Sequence, residues 1–510
     1  MAQLDREARA FPLEKWDRLI ALAIFCLGAA LRIFLLDSLP AGLNQDEASV
    51  GYDAWSLLTH GVDRNGYALP LVLKSWGGGQ SALYAYLSMP FIALLGPGAF
   101  SVRLVALLAG IATLPVFWLL AREARGRAFA LTALLVLAVN PWHIMISRWA
   151  LDANLLPFFL MLGIYLMVLS RRRPLALVFS ALAFALALYT FASAFFFLPP
   201  FLIFGVVWLR RRGALRASFF IPALALFILV AAPITTVHIN SLFGSRDLTL
   251  FGFSLPKLAE NERAAAVFFG GGMGQAAEYY SRFLSLLVRQ SDALPFNSIP
   301  FYGIFYYFGL PFAAAGLISC VANFRDRRNE IPMLAALLCS LLCAFFIAPD
   351  IKRMNMAWLP IIYFEAVGLH MLMRRMKRFF AVPVMCMLVC AALFVNAYYR
   401  DFQHSEYYYP GLREAIEYVE AEHPESVFVT SYVNQPYIFE LFYNNISPHT
   451  FQESVNYVNR RDVFESVSGF GKYSFGRPED ARAQYLILHN HECGDAAVLA
   501  TFGSYSVCMG

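Results

Sequence analysis

FSVRLVALLAGIATLPVFWLLA (residues 100–121), REARGR (122–127) and AFALTALLVLAVNPWHIMI (128–146) follow one another without a break. A helix needs roughly 20 mainly apolar residues to cross a bilayer core. Here two such runs are joined by a six-residue turn holding Arg122, Arg125 and Arg127. A soluble domain has no use for that alternation. A pair of membrane helices with a positively charged turn between them does.

The pattern extends along the whole chain. Eleven stretches read as spans: Leu19–Leu36, Phe100–Ala121, Ala128–Ile146, Leu155–Ser170, Leu175–Tyr189, Ala194–Leu209, Ser218–Val237, Phe301–Val321, Ile331–Ile347, Met356–Met373 and Phe379–Tyr398. Composition agrees. Of 510 residues 59% are hydrophobic and only 15% charged, with a mean hydropathy of +0.56, where soluble domains have about 45–50% apolar and about 25% charged residues. An ordinary soluble enzyme, a disordered chain and a disulfide scaffold are excluded. The net charge of +5 is no nucleic-acid footprint, because the basic residues lie in short clusters between apolar runs. Six of the eight cysteines sit inside those runs, and no Cys/His group has zinc spacing.

Lys/Arg bookkeeping orients the spans. The tail to Arg18 and the connections 122–127, 171–173, 210–216, 325–328 and 374–378 carry 21 of the 40 basic residues. All fall on one side, which the positive-inside rule makes cytoplasmic. The expected organisation is a cytoplasmic tail (1–18), a transmembrane domain (19–399) whose first span is a signal anchor, and an extracytoplasmic domain (400–510). External loops cover 37–99 and 238–300. Ser81–Leu95 contains Pro90 and would reverse every later loop if it spanned, so it reads as an interfacial helix. Gly270–Gly274 reads as a hinge and Gln275–Gln290 as a surface amphipathic helix. In the terminal domain Leu412, Ala415, Ile416 and Val419 have helical spacing, while 426–432 and 484–488 read as strands, giving a small α/β fold. Cys493 and Cys508 leave a disulfide there open.

The informative residues are polar ones at the external surface. Asp46 and Glu47 open a helix whose apolar stripe is Ala48, Tyr52, Trp55 and Leu58. Acids at a helix start are favoured by the dipole, with Asp46 as N-cap; they also suit a catalytic acid pair at a cavity rim. Arg148, Asp152 and Asn154 follow the third span, either as a local ion pair or as part of that site. Lys352 and Arg353 are adjacent cations where the positive-inside rule disfavours them. They read as snorkelling anchors or as a seat for a lipid phosphate, to which His238, Asn240, Arg246 and Lys257 would add. An external site without soluble nucleotides points to a phosphorylated lipid as donor. A transporter or flippase of a lipid-linked saccharide is the alternative, but transporters place their charges near the midplane. Here the acids gather at one face, and Arg32 lies near enough to its helix end to snorkel.

These residues resemble the GT-C-fold glycosyltransferases of the protein O-mannosyltransferase/aminoarabinose-transferase (PMT-like) superfamily, in its bacterial branch. The resemblance covers roughly residues 15–400. It rests on Asp46-Glu47 with Gly51 and the helix to Leu58, on Ser101-Val102-Arg103-Leu104, on Pro141…Ser147-Arg148…Asp152, and on Lys352-Arg353…Pro360…Gly368. It implies an all-α polytopic enzyme of the bacterial plasma membrane that transfers a sugar from a polyprenyl-phosphate donor, with inversion, to a lipid, glycan or protein hydroxyl. Asp46 would be the general base, Asp152 would belong to the second acidic loop, and Lys352, Arg353 and Arg148 would bind the leaving phosphate. A divalent ion, where one is used, would fall to Asp46, Glu47 or Asp152. The chain departs from its relatives at Lys74-Ser75-Trp76-Gly77-Gly78-Gly79-Gln80, where they carry a His/Lys-Pro-Pro-like element. Tyr52, Lys74, Gln80 and Asn154 are expected to line the site.

Overall fold

The computed structural model describes residues 15–76, 78–244, 246–258, 272–324, 329–379, 381–401, 406–458 and 465–510. The basic tail up to residue 14, the connection 325–328 and the start of the expected glycine hinge lie outside the described residues.

The chain begins with α1 (Lys15–Ile33) and α2 (Gln45–His60). A hairpin of β1 (Val72–Ser75) and β2 (Gly78–Ser81) leads into α3 (Ala82–Leu95). Then come α4 (Ala99–Arg125), α5 (Arg127–Ala138), α6 (Pro141–Ile146), a 3-10 turn (Asp152–Leu155) and α7 (Leu156–Leu169). Next are α8 (Ala176–Ala187), α9 (Ala194–Arg211) and α10 (Ala217–Phe243). A second hairpin, β3 (Leu248–Leu250) and β4 (Phe253–Leu255), precedes the amphipathic α11 (Gly272–Arg289). The helical part closes with α12 (Gly309–Ala322), α13 (Ile331–Cys343), α14 (Asn355–Met376) and α15 (Ala381–Asp401).

Among the described residues, six stretches are long and apolar enough to cross a membrane: Ala99–Arg125, Asp152–Leu169, Ala194–Arg211, Ala217–Phe243, Asn355–Met376 and Ala381–Arg400. This is a multi-pass membrane protein. Four of the other expected spans form apolar helices of only 10–17 residues, and the first is the 19-residue α1. The physical reasons are local. Ala128–Ile146 breaks at Asn140, whose Oδ1 accepts the His143 N–H at 2.9 Å and starts α6 ahead of Pro141. Phe301–Val321 becomes helical only at Gly309. α3 has 14 residues, about 21 Å of helix, short of a roughly 30 Å core. Glu365 is the buried acid within α14, 2% exposed beside Gly309.

The basic connections converge at one end of the bundle. Arg125 donates to Glu330 at 2.7 Å. Arg171 and Arg212 both donate to Asn329 Oδ1, at 2.7 and 2.6 Å. Arg172 pairs with Glu123 at 3.1 Å. Residues 36–47, 148–155, 292–296 and 350–355 gather at the opposite end, where Asn355 donates to the Ala153 carbonyl at 2.9 Å and Ile351 N–H to Asp292 at 3.0 Å.

The C-terminal part has α16 (Leu412–Ala421), β5 (Val427–Thr430), α17 (Tyr437–Tyr443), α18 (Pro448–Ser454), β6 (Asn456–Tyr457), β7 (Val467–Phe470), β8 (Tyr473–Gly476), β9 (Tyr485–His489), β10 (Val498–Phe502) and β11 (Tyr505–Met509). They form a seven-stranded sheet, ordered β10-β11-β9-β5-β8-β7-β6, with β5 parallel to both β8 and β9. The helix and two strands expected from periodicity are α16, β5 and β9, and Leu412, Ala415, Ile416 and Val419 are buried. The sheet domain sits on α2. Phe442 of α17 fills the space beside Gly51, where a Cβ would lie 2.9 Å from its ring, so only glycine admits this approach. Residues of α2, α3 and α4 share one apolar core with α16 and α17.

Candidate functional site at the loop end of the bundle

Two arginines, Arg148 and Arg103, organise this end around the carbonyls at and beyond the end of α1. The last carbonyls of a helix lack partners within it. Arg148 supplies donors to the carbonyls of Arg32 (2.8 Å), Phe34 (2.7 Å), Leu35 (3.1 Å) and Leu39 (2.9 Å), and its Nε donates to Tyr398 Oη at 3.2 Å. The side chain is fully buried. All its donors are occupied, so it clamps backbone and has none left for a lipid phosphate, against the sequence expectation. No ion pair joins it to Asp152 among the described residues. Arg32 does not snorkel either. It is buried and donates to the carbonyls of Gly28, Leu137 and Ala138.

Arg103 completes the frame. It forms two parallel bonds to Glu47, at 2.9 and 3.0 Å, and donates to the carbonyls of Leu36, Pro40 and Gly42. Gly42, at φ +83°, lies so close to the Tyr408 carbonyl that a Cβ has no room. Glu47 also accepts the Asn44 N–H at 3.1 Å and the Ala150 N–H at 3.0 Å, and has no exposed surface. Of the two expected catalytic acids at the helix start, this one is a buried strut.

Asp46 is placed differently. Asn44, not Asp46, is the N-cap of α2; its Oδ1 accepts the Asp46 N–H at 3.0 Å, and Glu47 closes the capping box. The Asp46 carboxylate is therefore free of capping and only half-buried. Two donors reach its Oδ1, Trp76 Nε1–H at 3.1 Å and Gln80 Nε2–H at 3.3 Å. Among the described residues no donor reaches Oδ2. Gln80 in turn accepts the hydroxyls of Ser49 (2.6 Å) and Ser75 (2.9 Å). The same hairpin holds the other acid, because the Ser81 N–H donates to Asp152 Oδ2 at 2.8 Å. Asp152 Oδ1 takes the Ala153 N–H at 2.7 Å. The divergent stretch 74–81 thus links both carboxylates. Trp76 was not singled out from sequence, and its only signal there was its place in that stretch.

Behind the hairpin lies a buried ion pair. Arg64 binds Asp53 through Nε and Nη2, the latter at 2.7 Å, touches Ser49, and meets Tyr437 Oη of α17 at 3.5 Å. Burial, reinforced by the Asp53 charge, pushes the neighbouring Asp63 carboxyl up to about 7. Burial likewise lifts the Tyr437 phenol to about 12.

Lys352 lies 5.7 Å from the ring centres of both Trp149 and Phe296 and pairs with no carboxylate among the described residues. Asp152 lies in the electrostatic field of both Asp46 and Lys352. Arg353 turns back to Asp350 at 3.2 Å and to the Ala348 carbonyl at 3.3 Å, so its charge is already compensated. The remaining expected residues fall elsewhere. His238 packs on Phe195 with centroids 4.6 Å apart, and Arg246 is exposed. No contact joins either to the acids among the described residues. Tyr52 is buried and donates to the Ile446 carbonyl at 2.7 Å, tying α2 to the sheet domain instead of lining the site. Lys74 binds Tyr67 Oη at 2.6 Å and Asp247 at 3.4 Å. Asn154 donates to the Trp149 carbonyl at 3.0 Å, with its Oδ1 buried and without a partner among the described residues. Gln80 alone of the four expected lining residues touches Asp46.

A cavity of about 440 Å³ is lined by Asn44 and Gln45, the two residues before Asp46, by Phe296, and by Tyr407, Tyr409 and Tyr432 of the C-terminal part. As a metal centre the site fits poorly. With Glu47 tied to Arg103, two carboxylates remain, and hard divalent cations want six or more oxygens. No group of three or more His, Cys, Asp or Glu side chains converges among the described residues.

The comparisons agree with this architecture. Residues 80–236 match the family model described as dolichyl-phosphate-mannose-protein mannosyltransferase. The fold resembles ArnT from Cupriavidus metallidurans bound to undecaprenyl phosphate, with a TM-score of 0.60, 12% identity, and 98% of each chain covered. The apo form of that protein gives 0.55 over 97% of each chain. The apo oligosaccharyltransferase of Archaeoglobus fulgidus gives 0.52 at 12% identity, over 92% of this chain and 65% of that one. No curated protein sequence matches the chain. The fold is that of the GT-C membrane glycosyltransferases. Residues 80–236 carry the sequence likeness to the mannosyltransferase family model, and the ArnT structures carry the likeness of the fold.

Proposed function

We propose that this protein transfers a sugar from a polyprenyl-phosphate donor to a hydroxyl acceptor on the non-cytoplasmic face of a bacterial plasma membrane, with inversion. The observation that carries the reading is Asp46. It is a carboxylate released from capping, held through one oxygen by Trp76 and Gln80, with no donor on the other oxygen among the described residues, and it directly follows Gln45 of the cavity wall. A hydroxyl is a weak nucleophile, and Oδ2 takes its proton as the oxygen attacks the anomeric carbon. The bond from that carbon to the phosphate oxygen breaks as the new bond forms, and the charge left on the polyprenyl phosphate is stabilised by Lys352. Asp152, pinned by two backbone N–H groups, shapes the wall between base and cation. A prenyl chain confined to the bilayer holds the reacting carbon at the depth of these loops.

The test is to incubate the detergent-purified protein with radiolabelled polyprenyl-phosphate sugars and an extract of cell-envelope acceptors. Transfer by the wild type and its loss in Asp46→Asn support the proposal. No transfer or hydrolysis from any donor argues against the enzyme, and full activity in Asp46→Asn against this base.

A further inference from the structure

We infer that the cavity between the loop end of the bundle and the C-terminal domain is a binding site for an uncharged saccharide, which presents the accepting hydroxyl to Asp46; this rests on the transfer reading above. At about 440 Å³ the cavity falls within the roughly 300–1,000 Å³ of small-molecule sites. Its chemistry narrows the ligand. Tyr407, Tyr409, Tyr432 and Phe296 offer flat apolar faces, and Asn44, Gln45, Asn434 and Glu406 add amides and a carboxylate. A pyranose ring needs this combination. Its C–H face packs on aromatic rings, while its hydroxyls, each both donor and acceptor, meet groups of both kinds.

Tyr432 is built as a platform. Its ring leans on His489 with centroids 4.3 Å apart and planes tilted by 44°, meets His491 edge-on at 5.0 Å, and its hydroxyl donates to Glu406 at 2.8 Å. One face is thus supported while 40% of the residue stays exposed. A ring already fixed loses little entropy on binding.

Other occupants fit less well. Among the described residues, none of the nine that line the cavity belongs to a strand, so an extended peptide finds no edge to pair with. Leu294 is the one aliphatic residue among them, too little for an acyl chain. These described lining residues include a carboxylate and no cation, which disfavours acidic or phosphorylated sugars.

The experiment is saturation-transfer NMR on the full chain in detergent, with methyl β-glucoside, methyl β-N-acetylglucosaminide and methyl β-glucuronide as probes. Ring protons of at least one neutral glycoside should saturate, with the glucuronide at least about fivefold weaker. Tyr432→Ala should reduce the neutral signal about tenfold. Tyr432→Phe, which keeps the platform, should retain most of it, separating lost stacking from lost folding. Asp46→Asn should bind like the wild type although it transfers nothing. The inference is overturned if no neutral glycoside saturates, if Tyr432→Ala binds normally, or if a Ser/Thr peptide or a short-chain lipid saturates in their place. Binding without transfer by the wild type would sink the transfer reading and leave the saccharide site standing. Transfer without binding would do the reverse.

Discussion

Replacing Trp76 by Phe removes one hydrogen bond from Asp46 and little else. The indole Nε1–H lies 3.1 Å from Asp46 Oδ1, while the ring packs on Tyr437 at 5.9 Å and under Arg64 at 5.3 Å. A phenyl ring keeps both ring contacts. A hydrogen bond to a charged group is worth about 1.5–3 kcal/mol net. With Gln80 still donating and the carboxylate half-buried, the lower end applies, about 1.5 kcal/mol, which is roughly tenfold in rate. Trp76 holds the carboxylate through Oδ1 and so sets where Oδ2 meets the accepting hydroxyl. Losing the donor should therefore lower kcat/KM about tenfold while Tm stays nearly unchanged. The assay is radiolabelled sugar transfer, with Tm measured alongside. A purely structural role would lower Tm together with activity. An unchanged kcat/KM would refute Asp46 as the base or Trp76 as its support.

Lys352→Ala should raise the Kd for polyprenyl phosphate about tenfold or more, and Arg353→Ala much less, because Asp350 already pairs with Arg353; equal effects in a lipid-binding titration would contradict the assignment. Glu47→Gln leaves Arg103 buried and uncompensated, which costs about 3–5 kcal/mol, so Tm should fall sharply where Asp46→Asn leaves it nearly unchanged. Asp63 has a folded-state pKa raised to about 7 by burial, so the stability it contributes is present at low pH and lost as pH rises through 7. Asp63→Asn should accordingly raise stability at pH 8, by at most about 4 kcal/mol, and leave it unchanged at pH 4; the same gain at both pH values in chemical denaturation would contradict this.

The membrane class and the common side of the basic connections were legible because both are written in one dimension, as apolar runs and Lys/Arg clusters. Convergence of Arg125, Arg171 and Arg212 on Asn329 and Glu330 reproduces that grouping in space. The division of labour between Asp46 and Glu47 was not legible. Both sit at a helix start, and what separates them is Arg103, 56 residues further on. Arg148 read as a partner of Asp152 or as a phosphate ligand because a charge count sees carboxylates and not carbonyls; its acceptors include the backbone oxygens of Arg32, Phe34, Leu35 and Leu39. Trp76 and Gln80 gain their importance only once the hairpin folds back over the start of α2. Span lengths failed where a polar residue inside an apolar run, such as Asn140, found a backbone partner and started a new helix.

The most direct measurement is a cryo-EM structure of the full chain with an undecaprenyl-phosphate sugar. The phosphate should lie within hydrogen-bond reach of Lys352, with the anomeric carbon facing Asp46 Oδ2. A phosphate seated at the opposite end, among Arg125, Arg171 and Arg212, or a donor whose sugar points away from Asp46, would contradict the account.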